Sequence, residues 1–236
     1  MRRRSDPSTH RSGCAACRLA RGAAAALMLA PPVAAGAWLE PVGAGFTSAS
    51  ATFRTRQADP EPELSFYGAY GLTPGVTLGV DLNSNRALSG HAVLFARLPL
   101  HQGPTHRVAA ELGLGGNRVE GRWHMMQKAT LSYGRGFQTG AGHSGWIAVD
   151  ASYELRNSRT QPIWKLDGTL GLNTGAAFAP MIQLETAWPQ GGQPSYTLTP
   201  SLRYQLPERR ELLIGLALGH EKRSSFGLKL GLWQKF

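Results

Sequence analysis

The stretch Phe226-Gly227-Leu228-Lys229-Leu230-Gly231-Leu232-Trp233-Gln234-Lys235-Phe236 alternates without a break. Its even positions are apolar apart from Gln234, and its odd positions are Gly, Lys, Gly, Trp and Lys. A period of two marks a β-strand, because successive side chains point to opposite faces. Large aliphatics on one face, with lysines and glycines on the other, suit a strand that has lipid on one side and water on the other.

The same pattern recurs upstream. From Gly45 onward the chain divides into about twelve segments, roughly 45–55, 63–72, 76–83, 90–100, 107–116, 125–137, 144–155, 162–173, 178–188, 194–206, 211–220 and 225–236. Their lengths suit the roughly 9–11 residues that a tilted strand needs to cross a bilayer. In Tyr196 to Leu206, Tyr196, Leu198, Pro200, Leu202, Tyr204 and Leu206 oppose Thr197, Thr199, Ser201, Arg203 and Gln205. In Phe178 to Trp188, Phe178, Pro180, Ile182, Leu184, Thr186 and Trp188 oppose Met181, Gln183, Glu185 and Ala187. Segments 45–55 and 90–100 alternate less cleanly. No apolar stripe of helical period occurs, and no segment is apolar enough to register as a spanning helix.

This pattern predicts an all-β fold: a single closed antiparallel transmembrane β-barrel of about twelve strands, with ten as the alternative, spanning 38–236. Closure removes the sheet edge that lipid could not satisfy with hydrogen bonds. An even strand number puts both termini on one side. A soluble sandwich or ligand-carrying barrel would also alternate, with its apolar face inside. Three features favour the inverted arrangement. The polar face carries charge together with Gly and Ala, as a crowded lumen requires. Thr73-Pro74-Gly75 and Pro207-Glu208-Arg209 are tight connectors, whereas 117–124 and 156–161 read as longer and more charged, the alternation of short turns and long loops expected of such barrels. Aromatics on the apolar face fall near strand ends: Trp164, Trp188, Tyr196 and Phe226 at the outer end, Tyr70, Phe137, Phe178, Tyr204 and Phe236 at the inner end. Two such girdles mark the two membrane interfaces.

Residues 1–37 read as a signal peptide. Arg2, Arg3, Arg4, Arg11, Arg18 and Arg21 form a basic leader, Gly22 to Pro32 an Ala/Leu/Met-rich core, and Ala35-Gly36-Ala37 a cleavage signal before Trp38. Both cysteines, Cys14 and Cys17, fall in this leader. The mature chain therefore holds no disulfide and no thiolate chemistry. Removal of the leader leaves 19 basic and 14 acidic side chains, a net +5, so the basicity of the whole chain does not imply nucleic-acid binding.

The lumen face is expected to carry Asp81, Arg97, Glu111, Lys128, Asp150, Glu154, Lys165, Asp167, Glu185, Arg203, Lys229 and Lys235, six basic and six acidic residues. Such a wall is either a packing of ion pairs or a constriction that selects solutes by charge. The outer loops and strand ends lean basic, with Arg54, Arg56, Arg86, Arg118, Arg122, Arg156, Arg159, Lys222 and Arg223 against Asp59, Glu61, Glu63, Glu120 and Glu221. A positive rim suits the phosphates of lipopolysaccharide or small anionic solutes.

The C-terminal strand resembles the closing strand of bacterial outer-membrane β-barrels, in which a terminal aromatic is part of the signal read by the assembly machinery. Phe236 and Gly231 carry that resemblance, and Gln234 departs from it. The stretch Phe66 to Val80, with Tyr70-Gly71-Leu72-Thr73, resembles a hairpin common in proteobacterial outer-membrane porin and transporter families. These likenesses imply location in the bacterial outer membrane, with outer-membrane lipid, lipopolysaccharide and the barrel-assembly machinery as partners. A twelve-stranded barrel is also similar to outer-membrane phospholipase A, which places His and Ser two apart on one strand. His143 and Ser144 are adjacent here and would point to opposite faces. No catalytic constellation, cofactor motif or metal-ligand spacing is found. The expected function is a narrow passive pore with a charged lumen. The alternative is a non-conducting structural or surface-interaction barrel closed by its own ion pairs, and a lipid-modifying enzyme is the remote third reading.

Overall fold

The computed structural model describes residues 36–55, 60–85, 89–220 and 224–236. Twelve strands occupy them: β1 Gly45–Thr55, β2 Pro60–Thr73, β3 Val76–Asn85, β4 Ser89–Gln102, β5 His106–Val119, β6 Arg122–Gln138, β7 Ser144–Arg156, β8 Ile163–Asn173, β9 Phe178–Pro189, β10 Ser195–Leu206, β11 Arg210–His220 and β12 Ser224–Lys235. Each pairs antiparallel with its sequence neighbours, and β1 also pairs with β12, so the sheet closes into a barrel. At the seam the Gly45 N–H donates to the Phe236 carbonyl at 2.9 Å and the Phe236 N–H to the Gly45 carbonyl at 3.0 Å. The leader, up to residue 35, lies outside the described residues.

Strand β11 shows why the barrel is inside out. Leu212, Ile214, Leu216 and Leu218 are exposed, whereas Leu213 and Ala217 are buried and Gly215 and Gly219 share their face. Bulky aliphatics point away from the axis and small residues toward it. The same exposed leucine face runs through Leu94, Leu98, Leu112, Leu114 and Leu131 on β4 to β6 and Leu228, Leu230 and Leu232 on β12. An apolar belt that encircles the molecule is unstable in water and is the surface that hydrocarbon requires. The expected girdle aromatics Tyr70, Trp164, Phe178, Trp188, Tyr196, Tyr204, Phe226 and Phe236 are all exposed near strand ends, and Phe137 is half-buried against Gly145. Trp123 at the outer end of β6 joins them, and Tyr153 packs on Trp164 at 4.6 Å.

Two expectations need correction. The connector expected over 117–124 is no long loop: β5 and β6 extend to Val119 and Arg122, and Glu120-Gly121 turn between them with φ of 49° and 80°. Positive φ at both central residues is the geometry that matches hairpin twist. Conversely, the inner connector 139–143 is among the longer ones, so loop length does not distinguish the two ends. The second correction concerns Thr186, expected on the lipid face and found buried. Ladder pairing between β8 and β9 lapses over 165–167. There Thr186 Oγ1 donates to the Leu166 carbonyl at 2.6 Å and accepts the Leu166 N–H at 2.9 Å, while the Thr186 N–H donates to Asp167 Oδ1 at 2.8 Å. Side chains replace missing backbone bonds, which a membrane-buried wall cannot leave unmade.

Candidate pore lumen

Inward-facing side chains from every strand converge on the barrel axis, and their chemistry changes along it. The outer end holds a cavity of about 560 Å³, lined by Arg54, Glu63, Asp81, His91, Arg118, Arg156, Lys165, Asp167, Glu185 and Lys229 among others. Below it, a second cavity of about 290 Å³ shares Asp81, Asp167, Glu185 and Lys229 and adds Arg97, Glu111, Lys128 and Asp150.

The charges pair across the wall. Arg54 Nε meets Glu63 Oε2 at 3.3 Å, and Asn83 donates to Glu63 Oε1 at 2.9 Å. Asp81 is held between Lys128 and His91, each at 3.2 Å. Glu154, almost fully buried, receives Lys165 at 2.8 Å and the Arg156 guanidinium. Lys229 lies 3.6 Å from Glu185 and donates to Gln183. The Arg97 guanidinium is almost as enclosed as Glu154: it donates to Glu111 at 2.7 Å, to the Tyr67 hydroxyl at 2.6 Å and to the Trp38 carbonyl at 3.2 Å. Opposite charges held this close in a low-dielectric wall attract far more than in water.

The inner third is different. Trp38, Phe46, Trp146, Ala148, Met181, Leu213 and Trp233 form a buried cluster with Tyr67 against it. Arg203 lies over the Trp146 ring at 4.5 Å and donates to Glu211 at 2.8 Å, to the Leu172 carbonyl at 2.7 Å and to Asn173 at 3.0 Å. Gly171 makes room for Trp146: a Cβ there would fall 2.1 Å from the indole. The chain ahead of β1 enters this region. Its Glu40 N–H donates to Thr77 Oγ1 at 3.0 Å. Burial pushes the Glu40 carboxyl above its ordinary value, against the pull of Lys235 and Arg97.

Arg54, Arg118 and Arg156 stand at the outer ends of β1, β5 and β7, and there they line the outer cavity. The reason is register: Arg54 shares the face of Ser50 and Thr52, and Arg156 that of Ser152 and Glu154. Arg56, Arg86, Lys222, Arg223, Asp59 and Glu221 lie outside the described residues, as does the Glu61 side chain. Sequence reasoning missed the Asp81–His91 contact, because it joins neighbouring strands diagonally and not residues two apart. It also missed Trp38, whose position outside any alternating segment carried no signal of its own.

No family model and no curated protein sequence matches the chain. Solved structures do match in fold. The KdgM porin in complex with disordered oligogalacturonate is 8% identical over 81% of this chain and 99% of that one, with a TM-score of 0.59. The NanC porin is 11% identical over 79% and 98%, with a TM-score of 0.55. The COG4313 outer membrane channel from Pseudomonas putida F1 is 15% identical over 85% and 97%, with a TM-score of 0.53. The architecture is thus that of the bacterial outer-membrane porin-like barrels.

Proposed function

We propose that the protein is a narrow passive channel for small hydrophilic solutes across the bacterial outer membrane. The observation that carries this reading is the polar path of two adjoining cavities, walled by paired charges, inside a barrel whose outer surface is apolar. Ion pairs along a pore wall set up a transverse field that sorts solutes by charge and dipole. The fold shared with KdgM, NanC and the COG4313 channel supports the same reading. Its test is single-channel recording of refolded protein in planar bilayers. Discrete openings are expected, and silence across a wide voltage range in a barrel freed of its inner obstruction would defeat it.

A second reading is favoured by one observation, the aromatic cluster that fills the inner third. On that reading the barrel is a non-conducting structural or surface-interaction element. The same recordings separate the two.

Selectivity follows from the lining. Arg54, Arg118, Arg156, Lys165 and Lys229 face the outer cavity against Glu63, Asp81, Asp167 and Glu185. The near balance predicts a weak anion preference at about 0.1 M salt, where the Debye length is about 10 Å, fading to neutrality near 1 M, where it is about 3 Å. Reversal potentials under a KCl gradient measure this, and a clear cation preference at low salt contradicts it. Small anionic or hydrophilic solutes are the proposed cargo. Lipopolysaccharide at the rim and the assembly machinery at the C-terminal strand are the proposed partners.

A further inference from the structure

We propose that residues 38–44 are a gate closing the inner mouth of the lumen, and that the α-amino group created by cleavage before Trp38 latches this gate to Asp150. The gate rests on the channel reading above; the latch does not.

The segment runs into the barrel and not away from it. Ala37 and Trp38 are buried, and the Trp38 indole packs so closely on β6 that a Cβ at Gly134 would lie 2.5 Å from it. Two polar contacts hold the backbone of the cleaved arm, Arg97 donating to the Trp38 carbonyl and the Glu40 N–H to Thr77, while the bond from Gln102 to the Ala37 carbonyl is lost with the leader. The other end is pinned to β2, where the Gly43 N–H donates to the Gly71 carbonyl and the Gly71 N–H to the Ala44 carbonyl, both at 3.0 Å. Gly43, at the start of that anchor, has φ of 79° and open space where a side chain would be. An arm seated by a few contacts, with a glycine beside its anchor, can swing from that anchor.

What holds the free end is read from the opposite wall. The β7–β8 register sets Asp150 directly across from Asp167. Two carboxylates so placed repel each other unless a cation joins them or one of them takes up a proton. The nearby cations are engaged elsewhere, Arg97 on Glu111 and Lys128 on Asp81. Asp150 Oδ1 is buried and has no hydrogen-bond partner among the described residues. A buried carboxylate oxygen left this way is costly. A Cβ built on Gly36 would fall 2.7 Å from that same oxygen, so the backbone two residues ahead of Trp38 passes beside it. Cleavage after Ala37 removes Gly36 and leaves an ammonium, with three donors, one peptide away from the vacated contact.

The test uses mature protein extracted from outer membranes. N-terminal sequencing is expected to read Trp38, and a terminus outside 36–38 overturns the latch. An α-amine-selective reagent should modify the folded barrel about tenfold more slowly than the Gly134→Leu variant, as for an arm seated about nine-tenths of the time. Asp150→Asn/Asp167→Asn should likewise accelerate labelling. Heat-modifiable gel migration identifies the variants that have folded. Both variants should conduct several-fold more than wild type. Equal labelling of folded wild type and Gly134→Leu overturns the latch. Wild-type conductance equal to that of Gly134→Leu overturns the gate and leaves the channel reading standing. Release of the amine without any conductance overturns the channel reading, and the gate with it, while the latch stands.

Discussion

Replacing Arg97 with methionine is expected to destabilise the barrel by about 3–5 kcal/mol, the range for removing one partner of a buried ion pair. Arg97 and Glu111 are 3% and 6% exposed, and their contact is 2.7 Å. Methionine roughly fills the volume but leaves Glu111 as an uncompensated charge. It also strips donors from the Tyr67 hydroxyl and the Trp38 carbonyl. The double variant Arg97→Met/Glu111→Leu should recover most of the loss, because an ion pair of this kind is often replaceable by apolar side chains at little cost. Urea unfolding of vesicle-inserted protein measures both. Equal losses in the single and double variants would show that the volume of Arg97, not its charge, holds the wall.

Leu230→Arg should cost about 2–4 kcal/mol, the figure for a cation on the lipid face near the midplane. Leu230 lies mid-way along β12 with its side chain exposed on the outer wall, paired in register with Ala51 and Ile214. One residue earlier, Lys229 points inward to Glu185 and Gln183. Lys229→Arg should therefore be mild. The contrast between neighbours is the measurement, since it reports which face each occupies. Similar losses at both positions would mean that the inside/outside assignment of β12 is wrong.

Much of the fold was legible because lipid enforces a simple code. Where the wall is thick with leucine, as in β11 and β12, alternation alone fixes strand, face and register. The code fades in β1 and β4 for identifiable reasons. In β1 small residues lie on both faces, with Ser48, Ser50 and Thr52 inward and Ala49 and Ala51 outward. In β4 the inward positions include the apolar Val93 and Phe95, which are buried over Gly113 and Gly79 and blur the alternation. A hole left by glycine on a neighbouring strand cannot be seen in the strand that fills it. The charged positions were readable one by one, since each breaks an apolar pattern. Their pairing was not, because Lys128 on β6 reaches Asp81 on β3 and Arg203 on β10 reaches Trp146 on β7, each across two intervening strands.

The reciprocal bonds between Gly45 and Phe236 have a consequence for the order of events in biogenesis. The ladder between β1 and β12 joins Phe46 to Lys235 and Thr55 to Phe226, so the first strand made waits for the last. Until β12 is in place, both strands are open edges, each able to template pairing with another chain. Pairings of such long sequence separation also form slowly once the chain is complete. The period of greatest hazard therefore falls between synthesis and closure, and it lengthens with every residue that delays the C-terminus. Two edges have to stay free of other chains until they meet each other.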